Sequence, residues 1–137
     1  MQHSSVDEVL AYLVAKKLSG ELKTIVAIKE YYVNNASPSD IAAKLGVSKL
    51  RVRGWLQMVK EKCGNSHIRA QKVIAAALPY ILRVSTIVLK VNGSAYCILC
   101  DLKMKAGPDV LYWHVKSKHR ELVQEIVKLI KRELRWN

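Results

Sequence analysis

Residues 97–119 set the tightest condition on this chain. Cys97-Ile-Leu-Cys100 is followed after thirteen residues by His114 and after four more by His119. Thiolate and imidazole are the ligands a tetrahedral zinc ion prefers. A C-x2-C pair ahead of an H-x4-H pair lets a strand turn supply two sulfurs while one helix face supplies two nitrogens. Cys97 and Cys100 alone would also suit two buried thiols on a strand. The histidines at matching spacing shift the reading to one structural Zn2+ held by Cys97, Cys100, His114 and His119. A segment this short has too little apolar mass to fold around its own core, so the metal would act as its staple. The remaining thiol, Cys63, falls on an apolar helix stripe and is expected to be buried, neither a ligand nor a disulfide partner. Three cysteines, two of them so close together, do not make a disulfide framework.

Around that segment the chain reads as mainly helical. Apolar residues recur at helical spacing at Val6, Val9, Leu10, Leu13, Val14 and Leu18, with Ser4 or Ser5 available as cap and Gly20 as breaker. A second helix over residues 21–33 is expected to bury Leu22, Ile25, Val26, Ile28 and Tyr32. A short helix opens at Pro38 or Ser39 and runs to Leu45; after Gly46 another runs from a Ser48 cap to about Cys63. Ser66 caps a further helix to about Leu78, where Pro79 ends or kinks it. The period then changes from helical to alternating. Residues 86–91 are rich in β-branched side chains, Asn92-Gly93 signals a type I′ hairpin, and residues 94–102 read as the returning strand. A turn at Gly107-Pro108 leads into a last helix from near Asp109 to about Arg135, whose pattern admits an interruption after His119. The expected fold class is α+β, mainly helical, divided into residues 1–65, a helical connector over 66–84, and a module over 85–137.

Charge singles out one of these helices. The chain carries 23 Lys and Arg against 11 Asp and Glu, a net charge of +12. Residues 1–43 hold four basic and five acidic groups, whereas residues 44–62 hold six and one. So abrupt a positive potential points to a polyanionic partner, and a composition that is half hydrophobic points to a packed core rather than a disordered basic tail. Within residues 38–57, Ile41, Ala42 and Leu45 form the inner face of the short helix, and Gly46 makes the turn. Val47 fills the corner, and Val52, Trp55, Leu56 and Val59 form the buried face of the next helix. That leaves Lys49, Arg53, Gln57 and Lys60 on one outward stripe, with Arg51 at its flank. The stretch resembles the helix-turn-helix motif of bacterial and archaeal regulators at Ala42, Gly46, Val47, Val52 and Trp55, and departs from it at the helix-weakening Gly54. The resemblance implies a three-helix core whose second motif helix enters the DNA major groove. Ser48, Lys49, Arg51, Arg53, Gln57 and Lys60 are then the contacting residues, Arg and Gln on base edges and Lys on phosphates.

Residues 96–120 resemble the C2H2 zinc-finger family. Tyr96 precedes the first cysteine, Leu111 stands three residues before His114, and Met104 takes the place of the usual core phenylalanine. The spacer between the inner ligands is one residue longer than the common form. The resemblance implies a ββα zinc-finger module with Lys103, Lys105, Asp109, Val110 and Tyr112 or Trp113 near its nucleic-acid face. After it, an apolar stripe at Leu122, Ile126, Leu129, Ile130 and Leu134 has to be covered, either by the 66–84 connector or by a second copy of the chain; a homodimer is expected.

The expected function is sequence-specific binding of double-stranded DNA as a transcriptional regulator. The alternatives are an RNA-binding protein and a zinc-finger adaptor that binds protein. An enzyme is not expected: the chain has no paired carboxylates, nucleophile elbow or phosphate-binding glycine loop, and four ligands would close the zinc. No secretory signal is evident, and the longest nearly apolar stretch, residues 73–82, is about half the length of a membrane span and contains Pro79. A cytoplasmic location and no membrane partner are expected.

Overall fold

The first helix, α1 (His3–Leu18), is the element around which the rest of the chain assembles. The computed structural model describes residues 3–105, 107 and 109–136. After α1 come α2 (Leu22–Tyr32), α3 (Pro38–Leu45), α4 (Lys49–Lys62) and α5 (His67–Ile81). A small sheet of β1 (Val88–Val91), β2 (Ser94–Cys97) and β3 (Leu102–Lys105) precedes α6 (Val110–Lys118) and α7 (Arg120–Leu134). Val9, Leu10, Tyr12, Leu13, Val14, Ala15 and Leu18 of α1 are all buried. A helix that is apolar on more than one face has to be surrounded by others. α1 is accordingly in contact with α2, α4, α5, α6 and α7, and one cluster of buried side chains runs from Val9 through to Ile130.

Local chemistry places the helix ends. Ser37 accepts a hydrogen bond from the Asp40 N–H at 3.1 Å with Pro38 at the first helical position, and Gly46 ends α3 at φ 67°. Ser48 and Ser66 do the same for α4 and α5, accepting from the Arg51 and Arg69 N–H groups at 3.1 Å each. Each such cap contributes about 1 kcal/mol. α1 already runs from His3, so the cap expected at Ser4 or Ser5 falls inside the helix. On α2, Leu22 and Val26 are exposed rather than buried, and Thr24 and Ala27 take the inward places beside Ile25 and Ile28. α5 continues past Pro79 to Ile81. The proline withholds a donor from the carbonyl of Ala75, but both residues lie on the exposed side, where water can serve that carbonyl.

The strands are antiparallel in the order β1-β2-β3, with Val88 opposite Cys97 and Cys97 opposite Leu102. Asn92 and Gly93, at φ 48° and 80°, make the expected type I′ turn. The returning strand ends at Cys97 rather than Leu102. Residues 98–101 turn the chain and a third strand follows, so the hairpin that carries the cysteines is β2–β3. α1 anchors the sheet. The Thr86 hydroxyl and the Ile87 N–H both donate to the Leu18 carbonyl, at 2.8 and 2.9 Å, and the Lys90 ammonium donates to the Gly20 carbonyl at 3.0 Å. Gly20 sits at φ 77°, and a Cβ there would lie 3.3 Å from the Thr86 hydroxyl, so both backbone and space favour glycine. Lys17 donates to the Leu82 and Val84 carbonyls beyond the end of α5.

The final helical stretch breaks at His119, and Pro108 of the turn ahead of it lies outside the described residues. α7 buries Val123, Val127 and Ile130 against α1 and α5, half-covers Leu122, Ile126 and Leu134, and exposes Leu129. The buried stripe is therefore rotated by about one residue from the expected one. The cover comes from within the chain, by the connector helix together with α1. An ion pair between Lys131 and Asp7, 2.7 Å, reinforces the α1–α7 seam.

Three buried tyrosines make the fold sensitive to alkali. Tyr12, Tyr32 and Tyr112 all have hydroxyl pKa values raised above the usual 10.0, in each case first through burial and then through neighbouring groups that disfavour a phenolate. Tyr32 also donates to the Leu56 carbonyl at 2.7 Å. Above pH 10 the unfolded chain loses these protons while the folded chain keeps them. The folded state then binds more protons, and stability falls as pH rises. Urea denaturation is expected to show a midpoint that is level near pH 8 and declines steadily beyond pH 10. A midpoint unchanged to pH 11 would mean that these phenols ionise freely in the folded protein.

Candidate metal centre

The cysteines owe their placement to the turn between β2 and β3. Ile98 N–H donates to the Ile87 carbonyl at 3.0 Å and Asp101 N–H to the Cys97 carbonyl at 2.9 Å, with Asp101 at φ 56°. This knuckle puts Cys97, fully buried, and Cys100, exposed, within reach of one point. His114 comes from the middle of α6. In an unbroken helix His119, five residues on, would lie about 140° round the axis from His114, too far to share one metal ion with it. The break solves this. His119 leaves helical geometry at φ −118°, ψ 34°, while its N–H still bonds the Val115 carbonyl and its carbonyl accepts from Val123. Its ring thereby lies beside that of His114, with centroids 5.1 Å apart.

The four ligand atoms all lie within 4.8 Å of one another. Cys97 Sγ is 3.3 Å from His119 Nε2, and Cys100 Sγ is 3.6 Å from His114 Nε2 and 3.0 Å from His119 Nε2. Desolvation pushes the His114 imidazole below the usual histidine range, and His119 and Lys118 add to the effect, so the neutral form that ligates a metal is favoured. The chain thus contains a Cys2His2-type cluster able to coordinate a metal, made of the four residues expected from spacing. Cys63 is a free, buried thiol outside it, and burial pushes that thiol up and makes it less reactive.

A second constellation went unread in the sequence. Asp109, at φ 62° just before α6, places Oδ1 3.4 Å from the Lys16 ammonium of α1 and 3.8 Å from the Arg51 guanidinium of α4. Lys16 is almost wholly buried. Its ammonium lies 4.3 Å from the Tyr112 ring centroid and 5.6 Å from that of Tyr12. Burial holds its pKa below the usual lysine value of 10.5, with Glu21 and Asp109 partly opposing the shift. Read from sequence, Lys16 is only a basic residue near a helix end, and nothing marks its partner 93 positions away. The contact corrects one expectation drawn from the finger resemblance. Asp109 and Tyr112 turn inward onto α1 and α4, while Trp113 is 58% exposed.

On α4, Trp55 is buried as expected. Lys49, Arg53 and Gln57 are exposed and Lys60 is half-buried. Gln57 donates to Glu61 at 3.0 Å. Arg51 lies against Trp55, 5.2 Å from its ring, and against Asp109, while Ser48 is engaged as the helix cap. Arg51 and Arg53, two residues apart, point about 160° from one another round the helix, as do Lys60 and Lys62. α6 therefore approaches the Arg51 flank and leaves the Lys49, Arg53 and Lys60 flank open.

Comparison with protein-family models, with curated proteins and with solved structures finds no match to this chain. Its class is defined by what it contains: a largely helical α+β fold, a small antiparallel sheet and a Cys2His2-type metal-binding cluster. Among the described residues no helix is long and apolar enough to cross a membrane.

Proposed function

We propose that this chain is a zinc-stabilised, helix-turn-helix DNA-binding protein that reads the major groove with α4. The observation that carries the reading is the open basic flank of α4, entered through the capped α3 and the left-handed turn at Gly46. Lys49, Arg53 and Lys60 form no ion pair among the described residues, which leaves their charge for a polyanion. Arg53 and Gln57 serve base edges, Lys49 and Lys60 serve phosphates, and Arg51 positions α4 against the metal module.

Zinc suits the cluster. With Zn–S of about 2.3 Å and Zn–N of about 2.0–2.1 Å, tetrahedral angles separate sulfur and nitrogen ligands by about 3.6 Å; three of the four sulfur–nitrogen pairs here lie at 3.0 to 3.6 Å, in a cluster whose atoms all fall within 4.8 Å of one another. Four protein ligands close the coordination sphere, so the ion is structural and no catalytic role is assigned. Two-fold assembly enters this reading through the affinity that paired reading helices confer and not through α7, which is covered within the chain. An adaptor role is the second reading, favoured by the exposed Ile98 and Leu99 of the knuckle and by Leu89 and Tyr96 on the outer sheet face.

Arg53→Ala is expected to weaken binding to a preferred duplex by about 1–3 kcal/mol and to affect scrambled duplex less. Lys60→Ala should instead weaken all duplexes alike and lower the salt slope by about one phosphate contact. Fluorescence anisotropy of the folded variants over a salt series checks both. An Arg53→Ala protein that binds both duplexes as tightly as the parent would put the adaptor reading first, and far tighter binding to duplex RNA would favour an RNA partner.

A further inference from the structure

A groove of about 670 Å3 is floored by α1 and walled by the end of α4 on one side and by α6 and the start of α7 on the other. Its size falls within the range of small-molecule sites, about 300–1,000 Å3. Three cations line it, Lys62, Lys116 and Arg120, against a single carboxylate, Glu8, and none of the three forms an ion pair among the described residues. The aromatic lining is Tyr12, Tyr112 and Trp113, of which Trp113 is largely exposed with the Lys116 ammonium 4.8 Å from its ring. An exposed indole with unpaired cations around it suits a planar ring joined to a multiply charged anion. The ring stacks on the indole, and the cations meet the anion, guanidinium in particular being matched to phosphate oxygens.

We propose that this groove binds a nucleoside phosphate, with the base stacked on Trp113 and the phosphate held by Lys62, Lys116 and Arg120. The site lies on the Lys62 flank of α4, away from the flank assigned to DNA, so it stands or falls independently of that assignment.

The test is isothermal titration of the full chain with adenosine monophosphate, with adenosine and inorganic phosphate as separate arms. The monophosphate is expected to bind at least about ten-fold more tightly than either part. Trp113→Ala and the double variant Lys116→Ala/Arg120→Ala should each weaken it by about ten-fold or more, while Trp113→Phe retains most of the binding. The altered side chains are exposed, and circular dichroism confirms that the variants fold. Arg53→Ala, on the opposite flank, should bind the nucleotide as the parent does. The proposal is overturned by no binding at about 5 mM, by inorganic phosphate binding as tightly as the nucleotide, or by variants that bind like the parent. It is also overturned if a single-stranded oligothymidine binds far more tightly through the same residues, which would make the groove a nucleic-acid channel instead.

Discussion

Removal of the metal is expected to cost at least about 3 kcal/mol and to lower the melting temperature by about 10 °C or more, while most of the helical signal survives below the new transition. The asymmetry follows from where the apolar contacts lie. α1 to α5 and α7 bury their side chains against one another, whereas the knuckle at residues 98–101 exposes Ile98, Leu99 and Cys100 and has no core of its own. Without a metal, nothing closes the four ligands around one point, and two thiols and two imidazoles must find other partners. α6 keeps Leu111, Tyr112 and Val115 packed inward and should survive better than the knuckle. Amide exchange should accordingly accelerate most at residues 96–102. Cys97→Ser should reproduce the effect, and Cys63→Ser should leave metal content unchanged. Metal analysis finding well under one ion per chain, or a chelator that leaves the melting curve in place, would remove the staple from this account.

Asp109→Asn should cost about 2–4 kcal/mol, since half of the Asp109 side chain is open to water and the full penalty for orphaning a buried charge is about 3–5 kcal/mol. Asparagine accepts the left-handed backbone at φ 62°, so the substitution removes charge with little added strain. It leaves the buried Lys16 ammonium facing aromatic rings and a neutral amide, with Glu21 as the remaining opposite charge acting on it. The pH dependence separates this cause from lost packing. The folded-state pKa of Lys16 already lies below 10.5, and loss of Asp109 lowers it further. Between that depressed value and 10.5 the unfolded chain binds more protons than the folded one, so stability from this group rises with pH. The deficit of the variant against the parent should therefore shrink from pH 7 toward pH 10, before the tyrosines begin to ionise. A deficit constant over that range would point to packing, not to a stranded charge.

Much of this protein was legible in its sequence because the signals are local. Caps at Ser48 and Ser66, the glycine turn after Leu45 and the Asn92-Gly93 hairpin act within one or two turns of chain and the structure realises each of them, while the Cys97/Cys100 and His114/His119 pairs, each close in sequence, are brought together into one cluster. Cys63 and Trp55 were expected inside and are buried. Other features were decided by partners far away in the chain. Leu22 and Val26 share the apolar character of their neighbours, yet which side of α2 is covered depends on α1, α4 and α5. The stripe on α7 turned by about one residue for the same reason: apolar residues at 122, 123, 126, 127, 129 and 130 admit more than one buried face, and only α1 and α5 select between them. The third strand was hidden because alternation continues through a turn whose tightness rests on two backbone hydrogen bonds. The Asp109 junction to Lys16 and Arg51 could not be read at all, since pairwise electrostatics carries no sequence periodicity. Composition and spacing determined which four residues would form a metal-binding cluster and where a positive helix would lie. The tertiary structure alone decided that the metal module docks on α1 and on one flank of α4, because burial of Tyr112 and Lys16 has to be satisfied there, and that docking leaves the opposite flank of α4 open.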